Sequence, residues 1–540
     1  MIEFENKLPR FFMGEKPVGQ YNNPEMVLPC VLTTSDFRLG NFLHVLHNAV
    51  ADERRLVFID GKVLGCAPNW IRDHVHMFKA FRHFEHDVKS FLEFIIETQS
   101  EEGFYYELIK QMDDLHWTYV NEDCRKLYLE DHVSLVRLEL EADVEYLVVE
   151  GVWQYYRTTG DFEWVKKVLP SLEKAIDYIT SSPKRWSKEH GLVMRPFTID
   201  TWDFTNDLRC GNDRRILDNE PMSIMHGDNS GVYQAMQILA KFNAKIGNFD
   251  KEKEWLRRAE ELKANMFKHL WNGKFFIHQL HVSHGGLDDL EGQRLSLSNG
   301  YDINRGVTNL QESRAIIEEY IERRKTTSAF AEWFSIDPPY AKFNKYNPGE
   351  YVNGAISPFT AAEIAKASFN NGYEEYGWDI LSRMVDIVEK DGRVCFLYYP
   401  HDKGAQNAAG PSGWGAAGFV DAVDEGLAGI VDEDCLYKTI KFSPRFVVTH
   451  YNELRYVTGY EKSGVFVDVR FIVKDNGLRY DLHSKAEKVK AHILLPKEKT
   501  CSKLLVNGVE HTFETVKVAN STYIDFEVDG QNKLSFEIIF

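Results

Sequence analysis

From about residue 36 to residue 430, apolar side chains recur every three to four positions, the spacing of a buried helix face. Eleven segments carry the pattern, near 36–50, 71–83, 84–99, 132–158, 161–181, 221–246, 250–270, 308–324, 355–371, 373–389 and 413–429. A short twelfth is expected around 293–300. Three junctions echo one another: Thr159-Gly160-Asp161-Phe162-Glu163, Ile246-Gly247-Asn248-Phe249-Asp250 and Asn371-Gly372-Tyr373-Glu374-Glu375. In each, glycine suits the left-handed residue that ends a helix, and the acidic turn after it suits the next N-terminus. Turns this tight make antiparallel helical hairpins. Repeated hairpins build an open solenoid or a closed toroid. Their unequal spacing and the long aromatic loops at 101–131 and 183–220 favour the toroid.

Two end segments break this rhythm. Residues 1–35 hold four prolines and short apolar pieces, and read as an irregular or strand-like lead-in. After about residue 431 the period shortens to β-rich runs at 446–448, 464–469, 491–495, 503–506 and 534–538. Asn507-Gly508 and Asp529-Gly530 supply hairpin turns. The expected division is therefore a lead-in (1–35), a helical barrel (36–430) and a small C-terminal antiparallel β-sandwich (431–540).

Composition narrows the chemistry. Lys and Arg number 64 against 82 Asp and Glu, a formal charge of −18, which argues against nucleic acid or an anionic membrane as partner. Aromatic residues make up 13% of the 540 residues. Carboxylates with flat rings suit a carbohydrate site, although a large helical core also consumes aromatics. Seven dispersed cysteines without a CxxC pattern indicate neither a disulfide framework nor a zinc site. The start lacks a signal core and no stretch is long enough to span a membrane, so a cytoplasmic protein is expected, or a periplasmic or secreted one if a signal peptide has been removed. No metal or other cofactor is implied.

Three loops concentrate the candidate chemistry. Pro68-Asn69-Trp70-Ile71-Arg72-Asp73-His74 precedes a helix; Asp73 is placed to cap it and Arg72 to meet a carboxylate, or Trp70 forms a platform beside an Arg–Asp pair that binds one sugar ring. Thr198-Ile199-Asp200-Thr201-Trp202-Asp203-Phe204-Thr205-Asn206-Asp207 sets three carboxylates around a tryptophan. A carboxyl against an aromatic wall keeps its proton more readily, the property of a general acid, although such a turn also suits capping aspartates. The third runs through Tyr399-Pro400-His401-Asp402 to Ser412-Gly413-Trp414-Gly415, with Asp402 as a water-activating base and Trp414 facing a ligand. Glu350 in Asn347-Pro348-Gly349-Glu350 is the rival base, and both carboxylates also fit the role of helix cap or sugar-hydroxyl acceptor. His278, His281 and His284 would share a face if helical, but lack a carboxylate partner in sequence. Arg209, Arg214 and Arg215 fit an acidic sugar or a solvated cluster.

Taken in order, these features resemble the six-hairpin glycosidases, the (α/α)6 superfamily of glucoamylase-, trehalase- and rhamnosidase-like enzymes. Trp70-Ile71-Arg72-Asp73 is similar to the W-x-R-D motif of glucoamylase-type members, in which Arg and Asp hold the sugar at the cleavage site. Thr201-Trp202-Asp203-Phe204-Thr205 resembles the G-W-D-F-S stretch of trehalases, whose Asp is the general acid. Ser412-Gly413-Trp414-Gly415-Ala416-Ala417, ending in Gly426-Leu427-Ala428-Gly429-Ile430, looks like the last barrel helix of rhamnosidase-type members. Two departures stand out: the glutamate base expected upstream of the last helix is missing, with Asp402 roughly in its place, and Thr201 replaces a glycine. The resemblance implies an exo-acting, inverting glycoside hydrolase with Asp203 as acid, Asp402 or Glu350 as base, and Trp70, Arg72, Asp73, Trp202 and Trp414 around the terminal sugar. The same fold serves inverting phosphorylases, and lyases or epimerases also use α/α toroids; a non-catalytic carbohydrate-binding protein is the remaining alternative.

Overall fold

A computed structural model of the chain describes residues 30–67, 69–112, 119–200, 202–206, 213–283, 290–402 and 412–540. Twelve α-helices lie among them: α1 (Phe37–Glu53), α2 (Ile71–Phe81), α3 (Ser90–Glu97), α4 (Val144–Thr159), α5 (Phe162–Ile179) and α6 (His226–Lys245). They continue as α7 (Phe249–Leu270), α8 (Asn299–Asn304), α9 (Leu310–Thr326), α10 (Pro358–Asn370), α11 (Glu374–Asp391) and α12 (Gly413–Asp421). The glycine junctions behave as their chemistry demands. Gly160, Gly247 and Gly372 take φ of 68°, 80° and 85°, and Asp161 and Asn248 then cap the next helices by accepting from Trp164 N and Lys251 N. Each such cap contributes roughly 1 kcal/mol.

Packing sorts the helices into two sets. Helix α2 packs on α4, α4 on α6, α6 on α8, α8 on α10, α10 on α12, and α12 returns to α2. The odd-numbered helices flank these: α1 on α2 and α12, α5 on α4 and α6, α9 on α8 and α10. Sequence explains the sorting. Outer α7 buries a single stripe, Trp255, Ala259, Leu262, Met266 and Leu270, whereas α6 is buried on nearly every side. Small residues permit that inner packing: a Cβ on Gly231 of α6 would lie 2.3 Å from the Tyr146 ring of α4.

Three expected helices begin later than their periodicity indicates, and the one expected from residue 84 starts at Ser90. Val133–Val136 and Met222–Met225 are strands, so α4 and α6 start only at Val144 and His226. The short twelfth helix lies at Asn299–Asn304, slightly beyond its expected place.

A π-helical turn (Ala422–Leu427) follows α12, and the strand Ile430–Asp432 opens the β region. One sheet has seven antiparallel strands and the other five, with Phe442 and Phe526 of the smaller meeting Tyr480 and Phe536 of the larger at ring distances of 5.3–6.0 Å. Asn507-Gly508 forms its hairpin turn with both residues at positive φ. Four features depart from the sequence reading. Asp529-Gly530 turns no hairpin, because Ser521–Asp529 belongs to the five-stranded sheet and Lys533–Ile539 to the seven-stranded one. Thr439–Phe442 runs parallel to Lys488–Leu494, so the β region is not wholly antiparallel. Phe446–Thr449 is a 3-10 turn rather than a strand, with Phe446 packed on Phe471. Val31–Thr34 of the lead-in pairs with Glu453–Tyr460, placing the start of the described chain in the larger sheet.

The six described cysteines are free thiols, and Cys210 lies outside the described residues. No helix among the described residues is long and apolar enough to cross a membrane.

Candidate active site

The six even-numbered helices bring their N-terminal ends together, which concentrates the positive ends of their dipoles. Side-chain pairs mark the convergence. Arg72 in the first turn of α2 meets Asp143, which precedes α4. Asp228 in the first turn of α6 lies 3.7 Å from Arg195 Nη1. Asp200 accepts from the Ser298 hydroxyl ahead of α8. His76 of α2 stacks on Trp414 of α12 at 4.2 Å, and Phe359 of α10 stacks on the same indole at 4.9 Å.

Arg72 organises a buried ionic network. Its Nε and Nη2 donate to the two oxygens of Asp143 at 2.5 and 2.8 Å, Nη2 also pairs with Glu141, and Glu107 lies 3.7 Å away. Arg195 pairs with Glu141 at 3.4 Å, and Arg137 with Glu145 at 3.2 Å. Four guanidinium groups, Arg72, Arg137, Arg185 and Arg195, thus face five carboxylates: Glu107, Glu141, Asp143, Glu145 and Asp228. Burial pushes Asp143 up, but the Arg72 charge and hydrogen bonds outweigh it and hold the group below its ordinary range. Glu107 and Glu141 are raised, chiefly by burial. Burial likewise pushes Asp228 up to about 6 against the opposing Arg195 charge. An excess of buried carboxylates over cations requires that some hold protons near neutrality.

Beside this network lies an aromatic cluster. The Trp202 ring is 5.2 Å from Tyr351, 5.5 Å from Phe396 and 6.4 Å from Phe359, while Phe204 stacks on Tyr351. Tyr351 takes a left-handed φ of 46°, a conformation costing about 1–2 kcal/mol outside glycine, and such strain is held where surrounding packing fixes it. The Asp203 side chain is 25% exposed, so solvent or a ligand reaches it, and Arg214 Nε lies 3.8 Å from Oδ2. Its charge acts on Asp73, Tyr346 and Tyr351, which groups all four at one place. Asp73 is pushed up to about 6 by burial, with Asp143 and Asp203 adding to the shift and Arg72 opposing it.

The structure therefore brings Arg72, Asp73, Trp202 and Asp203 together. Trp70 is half-buried and occupies the N-cap position of α2, packing against Val120, Cys124, Val136 and Leu138; Asp73 sits in the first turn and does not cap the helix. Trp414, expected to face a ligand, is 7% exposed, stacked with His76 and Phe359, and its indole N–H donates to Tyr301 Oη. It packs within the aromatic cluster instead of presenting a face to a ligand. Glu350 is half-buried and accepts from Asn347 N and Nδ2, closing a turn; its charge, like that of Asp203, acts on Tyr346. Asp402 is exposed, and its amide bonds Tyr399 O. Thr201, Asp207, Arg209, Pro68, His284 and the segment 403–411 lie outside the described residues.

His278 and His281 are not on a helix; Gln279–His281 is a strand, and both rings face Glu291 at 3.4 and 3.7 Å. The carboxylate absent from their local sequence thus arrives from a segment ten or more residues away. Among the described residues no group of three acidic, histidine or cysteine side chains is arranged to hold a metal ion.

Comparison with known proteins follows from this geometry. Residues 68–411 match the family described as the mannosylglycerate hydrolase MGH1-like glycoside hydrolase domain. Among solved structures, a GH78 family rhamnosidase of Bacillus sp. GL1 is similar in fold at 14% identity and a TM-score of 0.59, over 87% of this chain and 43% of that one. An α-L-rhamnosidase from Dictyoglumus thermophilum is similar at 13% identity and a TM-score of 0.57, over 95% of this chain and 50% of that one. The α-L-rhamnosidase of Streptomyces avermitilis is similar at 11% identity and 0.54, over 95% and 42%. The chain spans half or less of the length of these structures. No curated protein matches the sequence.

Proposed function

The chain belongs to the mannosylglycerate hydrolase MGH1-like glycoside hydrolase family and is a glycosidase, and on that premise we propose an exo-acting enzyme that inverts the anomeric centre. The even-numbered helices form the inner ring of an (α/α)6 toroid spanning residues 36–430, followed by a β-sandwich at 431–540 to which the lead-in (1–35) contributes a strand. The closed series of contacts from α2 to α12 and back supports this reading.

Asp203 protonates the departing glycosidic oxygen as the bond from the anomeric carbon to that oxygen breaks. A second carboxylate takes a proton from the water that attacks the opposite face, and an inverting pair is separated by about 6.5–9.5 Å to admit that water. Glu350 is the favoured base because it is half-buried and shares Tyr346 with Asp203, while Asp402 is exposed. Trp70 and Asp73 border the terminal sugar, while Trp202, 8% exposed, backs them from within the aromatic cluster and Arg72 positions the acidic floor.

The observation carrying this reading is a partly exposed Asp203 beside an aromatic cluster, grouped with Asp73 near the N-terminal ends of the inner helices. The experiment is a screen of aryl rhamnosides, mannosides and glucosides, together with mannosylglycerate, using wild type, Asp203→Asn, Glu350→Gln and Asp402→Asn. NMR of the first product should show inverted configuration. A retained anomer rejects the mechanism, and turnover that requires phosphate rejects water as the nucleophile.

A further inference from the structure

A second polar cavity of about 330 Å³ lies at the other end of the helical ring. All six inner helices and the strand Ile430–Asp432 line it, mostly with residues from their C-terminal halves. Its volume falls at the lower end of small-molecule pockets, which run from about 300 to 1,000 Å³. Tyr301 separates it from the candidate active site: the ring lines this cavity while the hydroxyl accepts from Trp414 on the other side.

Most charges around the cavity neutralise one another. Lys79 pairs with Glu363 at 2.6 Å, Lys366 with Asp421 and Glu425 at 2.7 and 2.6 Å, and Arg157 with Glu425 at 2.8 Å. Arg305 is occupied by Gly227 O and Ser230 Oγ. Glu150 is the exception. It lines the cavity and is 6% exposed, yet its carboxylate has no hydrogen bond or contact ion pair from the described residues. Lys79 and Arg305 act on it only from beyond contact distance, so its oxygens are open to a donor in the cavity. An unused donor group faces the same space: the Lys241 ammonium at the mouth sits over the Trp153 ring, at 4.9 Å, with no hydrogen bond or contact ion pair from the described residues. The unmet requirements are thus of both kinds, an acceptor beside donors, in a lining whose remaining charges are balanced. A cation or an anion would satisfy one kind and meet like charge on the other. A hydroxyl donates and accepts at once.

We propose that this cavity is a second, non-catalytic binding site for a small neutral polyol of up to monosaccharide size, held through neighbouring hydroxyls by Glu150 and Lys241. The site is independent of the catalytic assignment above, since none of these residues belongs to the aromatic cluster.

Trp153 lines the cavity and supplies the reporter. The full chain is titrated with D-mannose, D-glucose and glycerol while tryptophan fluorescence is followed, with Trp153→Phe as the reference that removes signals from elsewhere. A saturable change is expected in wild type, absent in Trp153→Phe and weakened at least tenfold in Glu150→Ala and in Lys241→Met, the latter altering an exposed mouth residue with little risk to folding. Glycoside turnover should be unchanged in Lys241→Met. A response to sugars alone assigns a monosaccharide site, and a response to glycerol with the same dependence assigns a site for shorter polyols. The proposal is overturned if no probe gives a saturable Trp153 signal, if Lys241→Met and Glu150→Ala bind as tightly as wild type, or if chloride or acetate competes for the site.

Discussion

Replacing Arg72 by Met tests the buried network directly, because one guanidinium there serves Asp143, Glu141 and Glu107. Arg72 is 6% exposed and Asp143 1%, so water cannot take over the lost charge. Removing one partner of a buried pair costs about 3–5 kcal/mol. Glu107 and Glu141 are already raised and accept protons readily, so the penalty falls mainly on Asp143, and nearby Arg137 and Arg195 keep it toward the lower bound. The loss has a defined pH dependence. In wild type the folded pKa of Asp143 is depressed, so its contribution is present above the unfolded value and is lost as pH falls through the folded one. Without Arg72 burial raises that folded value, and stability then declines as pH rises. Each unit of that change adds about 1.4 kcal/mol. Urea unfolding followed by circular dichroism should therefore show Arg72→Met destabilised by roughly 3 kcal/mol at pH 8 and by distinctly less at pH 4.5. Arg72→Lys, which keeps charge but loses the two-point hydrogen bond, should fall between. An equal loss at both pH values, or none, refutes the electrostatic account.

Asp203→Asn should lower kcat on substrates with poor leaving groups by about 10²–10⁴-fold, the usual yield of a general acid, while leaving the unfolding midpoint near wild type. Asp228 has a folded pKa of about 6 against an ordinary 3.8, so the folded state binds the extra proton and stability falls as pH rises from about 4 to 6. Asp228→Asn should flatten that part of the profile by roughly 3 kcal/mol, measured as the difference in urea midpoints, and an unchanged slope rejects the assignment. Gly231→Ala forces a methyl into the Tyr146 ring and should cost about 1–3 kcal/mol, with partial recovery when Tyr146 is also shortened to Leu.

The parts of the fold legible in the sequence are those set locally. Gly160, Gly247 and Gly372 end helices because a positive φ is needed there, and Asn507-Gly508 turns a hairpin for the same reason. Where local pattern is ambiguous the reading slipped. Met222–Met225 is a short apolar run that periodicity cannot separate from the helix following it, and Val133–Val136 becomes a strand through pairing with Leu108–Gln111, 25 residues upstream. Asp203 and the Trp70–Asp73 run could be picked out because carboxylates and aromatics sit close together in the chain. The network around Arg72 could not, since its partners come from positions 107, 141 and 143 and are brought close only by helix packing. One signal was available: Glu139, Glu141 and Asp143 alternate in Leu138-Glu139-Leu140-Glu141-Ala142-Asp143, a period of two just ahead of a helix. Trp414 shows the opposite failure, since small residues around an indole read as ligand access but here allow stacking with His76 and Phe359.

The central claim, that Asp203 delivers a proton to the leaving group, is tested most directly by how its replacement responds to leaving-group acidity. On an aryl glycoside of the sugar that wild type accepts, a dinitrophenyl leaving group departs as a stable anion and needs no proton, whereas a methyl or alkyl group does. Asp203→Asn should hydrolyse the dinitrophenyl glycoside within about tenfold of wild type while losing at least about 10²-fold on the alkyl glycoside. An equal loss on both substrates, or none on either, would contradict the assignment of Asp203 as the acid.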